Sequence, residues 1–327
     1  MIKLFTIRRP IVFITLVFMV LLLRLPSFLI SGTHSGDFIH YTFFEGFLVF
    51  LNQTKTTSYV IGCCIVIFQM LHLSYLFEKH AIHYKNTYLP ALFYALFASL
   101  LNGVDVNITP ALLAQTPLML ALSVYFGLYK SSDAKEKILT SMLVLGVGFL
   151  LYLPMAYLIL VFWIGLFYVK IPTLRDYLIA AIGALLPLYF VFVFCFYDNR
   201  LPYFVEKINL LVYYRGGPPF EETKPELFLL GALALILIFS SVKIYTFHFK
   251  NNIKTRIIQK TLLVLSVVIL SIILFVLPLN DQHLLFFLLP FSYLASYFFM
   301  GTWRFFLNEI IAMGLLTFII ILKIYRL

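Results

Sequence analysis

The sequence predicts an all-α, polytopic transmembrane helix bundle, and three observations carry that prediction. Of 327 residues, 62% are apolar and only 12% charged, against roughly 45–50% and about 25% in soluble domains. The apolar residues fall in runs long enough to cross a bilayer, where unpaired backbone groups leave only helices or closed barrels as possible structures. Lys and Arg gather in alternate connections between those runs, the asymmetry that orients spans. A water-soluble globule is excluded, and 36 Phe with 21 Tyr make the apolar material too bulky for a disordered chain. The formal charge of +10 therefore speaks to membrane sidedness and not to nucleic acid.

Eleven segments qualify as spans, all within one integral membrane domain, 1–327: 10–30, 57–77, 88–102, 109–129, 138–153, 154–169, 177–196, 226–247, 261–279, 283–300 and 306–323. The first follows Lys3, Arg8 and Arg9 as a signal peptide would, but no small-x-small cleavage site follows and Arg24 interrupts it, so it reads as an uncleaved helix. The fifth and sixth are short for a full crossing and meet at Pro154, as a helix pair turning inside the protein. Cys63, Cys64 and Cys195 all lie in apolar runs and read as packing residues.

A cytoplasmic N-terminus puts sixteen of the 24 Lys and Arg on the inner side, and nine of the fourteen acids on the outer. Two outer connections are long. Residues 31–56 contain an aromatic stretch suited to an interfacial helix, and 197–225 include an amphipathic portion before Gly216-Gly217-Pro218-Pro219, a turn signal. The basic segment around Lys250, Lys254, Arg256 and Lys260 reads as an inner anchor on anionic lipid.

The outer face carries the candidate chemistry. Asp37, Asp105, Asp198 and Asp281 stand near helix ends in separate connections, where a compact bundle can gather them. The duller alternative is that acids populate outer loops because cations are kept inside. Asp37 follows Gly32-Thr33-His34-Ser35-Gly36 and precedes an aromatic stretch, so it would sit at the membrane boundary as a general base or as a ligand to a divalent metal. Arg24, deep in the first span before Pro26, must snorkel, pair or line a polar cavity. Arg200 and Arg215 offer planar forks to phosphate, or salt bridges to nearby acids. Asn280, Asp281, Gln282 and His283 put four hydrogen-bonding side chains in one short connection. The sequon at Asn107 is undercut by Pro110. No nucleotide-binding loop, nucleophile elbow or regular Cys/His metal spacing occurs.

The first helix ending Leu23-Arg24-Leu25-Pro26, the outer loop with Asp37, the stretch Asn107 to Leu113 opening a helix, Gly146 to Pro154 at the short pair, and Asp281 to Pro290 together resemble the GT-C membrane glycosyltransferases. The whole chain is similar to an uncharacterised family of multi-pass inner-membrane proteins common in Bacteroidetes. The GT-C resemblance implies transfer of a sugar from a polyprenyl-phosphate donor at the periplasmic face of the bacterial inner membrane, with Asp37 as base. It implies that His283, with Arg24 or Arg200, binds the lipid phosphate; Asp105, Asp198, Asp281 and Gln282 join them as candidate substrate-site residues by their place on the outer face. Gly36-Asp37 departs from the family's common adjacent acidic pair. The alternative is a non-catalytic scaffold or accessory subunit with a protein partner in an envelope assembly. A transporter would call for more ionisable residues at mid-membrane than Arg24.

Overall fold

A computed structural model describes residues 5, 10–30, 41–80, 82, 87–101, 107–169, 172–213, 224–247, 251–275, 281–299 and five positions beyond residue 300. Among the described residues there are thirteen α-helices and no strand. Four of them, three at the predicted first, second and seventh spans and one at the ninth, are long and apolar enough to cross a membrane, which fits a helical membrane protein.

Helix ends follow local chemistry. α1 (Pro10–Ile30) holds Pro26, which has no N–H to donate to the carbonyl one turn back; nearby, the Tyr59 hydroxyl donates to the Leu21 carbonyl at 3.0 Å. α2 (Glu45–Leu51) is a short helix within the first long connection that begins only at the end of the aromatic stretch. α3 (Lys55–Lys79) starts at Thr54, whose hydroxyl accepts from the Thr57 amide while Thr57 returns the bond, a reciprocal cap. α4 (Leu89–Leu101) is followed by α5 (Pro110–Tyr125), capped by Thr109 with Pro110 at the first position, as the Asn107 to Leu113 motif suggests. That cap, with Asn107 buried, takes up the residues of the sequon. α6 (Ala134–Leu151) and α7 (Ala156–Val169) join through a buried 3-10 turn, Leu153–Met155, as Pro154 foretells.

α8 (Leu174–Tyr197) begins where Asp176 accepts from the Thr173 amide and hydroxyl. α9 (Leu201–Tyr213) is the amphipathic helix of the second long connection, and α10 (Lys224–Phe247) follows. α11 (Ile253–Phe275) starts eight residues before the predicted ninth span. The supposed loop cations Lys254, Arg256 and Lys260 are thus helical, because their stems are long enough to carry charge away from a helix that continues beneath them. The tenth span is broken into α12 (Asp281–Phe286) and α13 (Leu288–Phe299). Of the eleventh only residues 309, 313, 314, 317 and 321 are described, all of them helical, and the turn at 216–219 lies outside the described residues.

Bonds between connections sort the bundle into two ends. At one, the Phe43 amide donates to Leu150 O (3.0 Å), Asn52 to Ile108 O (3.1 Å) and Tyr157 to Leu211 O (3.4 Å); this is the Asp198 end. At the other, the His80 ring meets Ser123 O (3.2 Å) and Lys243 donates to Tyr297 O and Phe298 O (2.9 and 2.6 Å). In the interior, the Gln69 amide donates to Leu112 O and to the Thr116 hydroxyl and accepts from Tyr94, tying α3, α4 and α5 where no water can satisfy them.

Candidate functional site

The Asp198 end contains a cavity of about 580 Å³ between the start of α2, the last turns of α8 and the start of α9, within the usual range for small-ligand sites. Its walls are Phe43, Phe44, Phe190, Val191, Phe194 and Cys195, and its polar groups are Glu45, Arg200 and Tyr203. Phe190 and Phe194 are 63% and 67% exposed on the outer flank of α8, so the opening faces sideways, where a bilayer's edge would be.

Each element reaches this place for a local reason. Phe43 is tied to α6 by its amide bond to Leu150 O, and the Thr42 hydroxyl reaches the same carbonyl at 3.2 Å. Asp198 and Asn199 end α8, Asn199 with a positive φ of 56°, a backbone conformation asparagine tolerates; the chain thereby reverses into α9. There the Tyr203 hydroxyl donates to Phe43 O at 3.2 Å, and Lys207, only 2% exposed, pairs with Glu45 while its ammonium lies 5.3 Å from the Tyr203 ring. The amphipathic helix is thus fastened by its one buried cation. Burial, and then the neighbouring Glu45 carboxylate, push the Tyr203 phenol up to about 12, so it remains a neutral donor.

Arg200 projects into the mouth of the cavity. Its Nε meets Asp198 at 2.8 Å, the two side chains being 70% and 43% exposed, a pair worth little in water. Asp198 takes one edge of the guanidinium. The terminal amino groups are the donors suited to a two-pronged oxyanion.

The predicted site residues divide accordingly. Arg200 lines the cavity and Asp198 braces it. Arg24 does not: it is 3% exposed, turned into the contact between α1 and α3 against Gly62, with its Nη1 lacking a hydrogen-bond partner. It does not snorkel, because Gly62 leaves the hollow that its guanidinium fills. Asp281, Gln282 and His283 form the first turn of α12, not a loop; their side chains, like all of Asp37, Asp105 and Arg215, lie outside the described residues. Among the described residues no three His, Cys, Asp or Glu side chains gather as a metal site would need. Sequence reasoning missed Glu45, Lys207 and Tyr203. The spacing of Tyr203 and Lys207, one helical turn apart on an amphipathic segment, was the available signal. No protein-family model, no curated protein and no solved structure matches the chain.

Proposed function

We propose that the chain is a membrane glycosyltransferase that takes a polyprenyl-phosphate-linked sugar at the periplasmic face of the bacterial inner membrane, with its N-terminus in the cytoplasm. The observation that carries the reading is the sideways-opening aromatic cavity with Arg200 at its mouth: a lipid phosphate offers an apolar chain to the aromatic walls and an oxyanion to the guanidinium. In the reaction the Asp37 carboxylate removes the proton of an acceptor hydroxyl, whose oxygen bonds to the anomeric carbon. The bond from that carbon to the phosphate oxygen breaks, and its electron pair leaves on the polyprenyl phosphate, whose growing charge the guanidinium stabilises. Asp37 precedes Phe43 by six residues, within chain reach of the cavity.

The test is release of polyprenyl phosphate by the purified chain given polyprenyl-phosphate sugars. Turnover that disappears in Asp37→Asn while the variant stays folded supports the reading; full turnover in that variant removes the base. Labelling of the Asp37→Cys variant in intact cells with an impermeant reagent tests the side of the site, and protection from that reagent would overturn the periplasmic assignment.

A second reading, a non-catalytic scaffold in an envelope assembly, is favoured by the way the site's charges are matched within the chain, Arg200 by Asp198 and Lys207 by Glu45. One stoichiometric crosslinked membrane partner, indifferent to Asp37→Asn, would put it ahead.

A further inference from the structure

One wall of the cavity carries no side chain. Gly46 lies in the first turn of α2 and lines the cavity beside Glu45. Its backbone does not have the positive φ that favours glycine, and among the described residues a Cβ added there would meet nothing within 4 Å. Glycine weakens a helix relative to alanine, and neither conformation nor close packing calls for it here. By contrast, a Cβ at Gly146 would come within 2.6 Å of the Ala184 carbonyl oxygen. What Gly46 supplies is room.

We propose that Gly46 sets the size of the headgroup this cavity accepts, the ligand being an amphiphile whose phosphate sits on Arg200 and whose carried polar group occupies the space over Gly46 beside Glu45. The inference rests on the lipid-phosphate reading of the same cavity and names its specificity element. The polarity follows from which cation is open. Lys207 and Arg200 each have a carboxylate partner, but Lys207 is buried against Glu45 whereas Arg200 is largely exposed and meets Asp198 through Nε, so the phosphate belongs at the guanidinium, where the terminal amino groups can hold two oxygens. Carboxylates accept from hydroxyl and ammonium groups, so the group beyond the phosphate is a hydroxylated or aminated one such as a sugar. The apolar chain leaves past Phe190 and Phe194, the wall most exposed to the surroundings of the bundle.

The experiment measures dissociation constants for the full-length protein in detergent, with farnesyl monophosphate and glucosyl farnesyl phosphate as probes, and farnesol and dioleoyl phosphatidylglycerol as controls. Gly46→Leu is expected to leave farnesyl monophosphate binding unchanged and to weaken the glucosyl ester about tenfold or more, with Gly46→Ala between leucine and wild type. Arg200→Gln is expected to weaken both phosphates about tenfold and leave farnesol unaffected. Thermal melting shows whether the variants fold, which the open space around Gly46 favours. Equal affinity of wild type and a folded Gly46→Leu for the glucosyl ester, or equal loss for both probes, overturns the assignment. So does phosphatidylglycerol competing as well as farnesyl monophosphate, which would mark a site for bulk lipid. A chain that binds in the expected pattern but transfers no sugar would remove the transferase reading and leave this site standing.

Discussion

α8 and α13 are built from the same kinds of apolar residue, and the bundle uses them in opposite ways. α8 turns Leu178, Ile182, Leu185, Tyr189, Phe190 and Phe194 outward and holds the bundle along a narrow stripe, where Gly183 and Gly146 let its backbone approach that of α6. α13 buries eleven of its twelve residues. It is too short, at about 18 Å, to cross the roughly 30 Å hydrocarbon core alone, and it is enclosed by α4, α10 and α11. Its ties are polar: Ser240 donates to Leu294 O at 2.9 Å, and Lys243 to the last carbonyls of the helix. The difference teaches that lipid tails are as apolar as leucine, so burial against another helix is decided by close approach and hydrogen bonds, not by hydropathy. The cavity lies on the loosely held side, where α8 gives its aromatic flank to the surroundings.

If the open side is pinned by polar bonds where packing is thin, the largest loss should come from Glu45→Ala. It strands the buried Lys207 ammonium and should cost about 3 kcal/mol of unfolding free energy in detergent, with Lys207→Met restoring most of it in the double variant. Gly146→Ala strikes the one tight seam of α8. A Cβ within 2.6 Å of a carbonyl oxygen should cost about 2 kcal/mol, and a neutral result would mean that α8 is as loose on its inner side as on its outer. A pH titration tests the far end. Burial, with Lys254 and Lys79 adding to it, lowers the His80 imidazole to about 4, so its contribution is fully present above the unfolded value near 6.5. That contribution declines as pH falls from there toward 4, a loss of roughly 2 kcal/mol by pH 5, and His80→Gln should flatten the slope. Lys243→Met frees the carbonyls at the end of α13 and should cost about 1 kcal/mol; no change would show that enclosure alone holds that helix. The smallest effect belongs to Asp198→Asn, below about 1 kcal/mol in stability because the pair is exposed.

Much of the fold was legible because helix ends are local events. Thr54, Thr109 and Thr173 each supply a hydroxyl at a helix start, and Pro154 marks the turn between α6 and α7. Legibility failed where a side chain's partner lies far along the chain. Arg24 looked free to snorkel, since nothing within α1 announces that Gly62, thirty-eight residues on, opens a hollow for it. Asp281, Gln282 and His283 looked like a loop because polar residues between apolar runs resemble one, whereas the bundle uses them as a helix's first turn. Gln115 reads as an unremarkable helix residue, yet its amide donates to Leu285 O at 2.8 Å, beside the break before α13 and 170 residues away. Of the candidate site, Arg200 and Asp198 were visible as charges near a helix end; Glu45, Lys207 and Tyr203 were not visible as a group, because they come together across 162 residues.

By itself, the amino-acid sequence determined that this chain is helical and suited to a membrane, since composition and run length are summed along the chain and need no neighbours. It also determined where α3, α5 and α8 begin, through side chains that cap their own backbone. The tertiary structure alone decided which apolar helix is enclosed and which faces outward, and which charges meet. Lipid does not distinguish one apolar surface from another, and an ion pair between residues 45 and 207 forms only after the helices that carry them have packed.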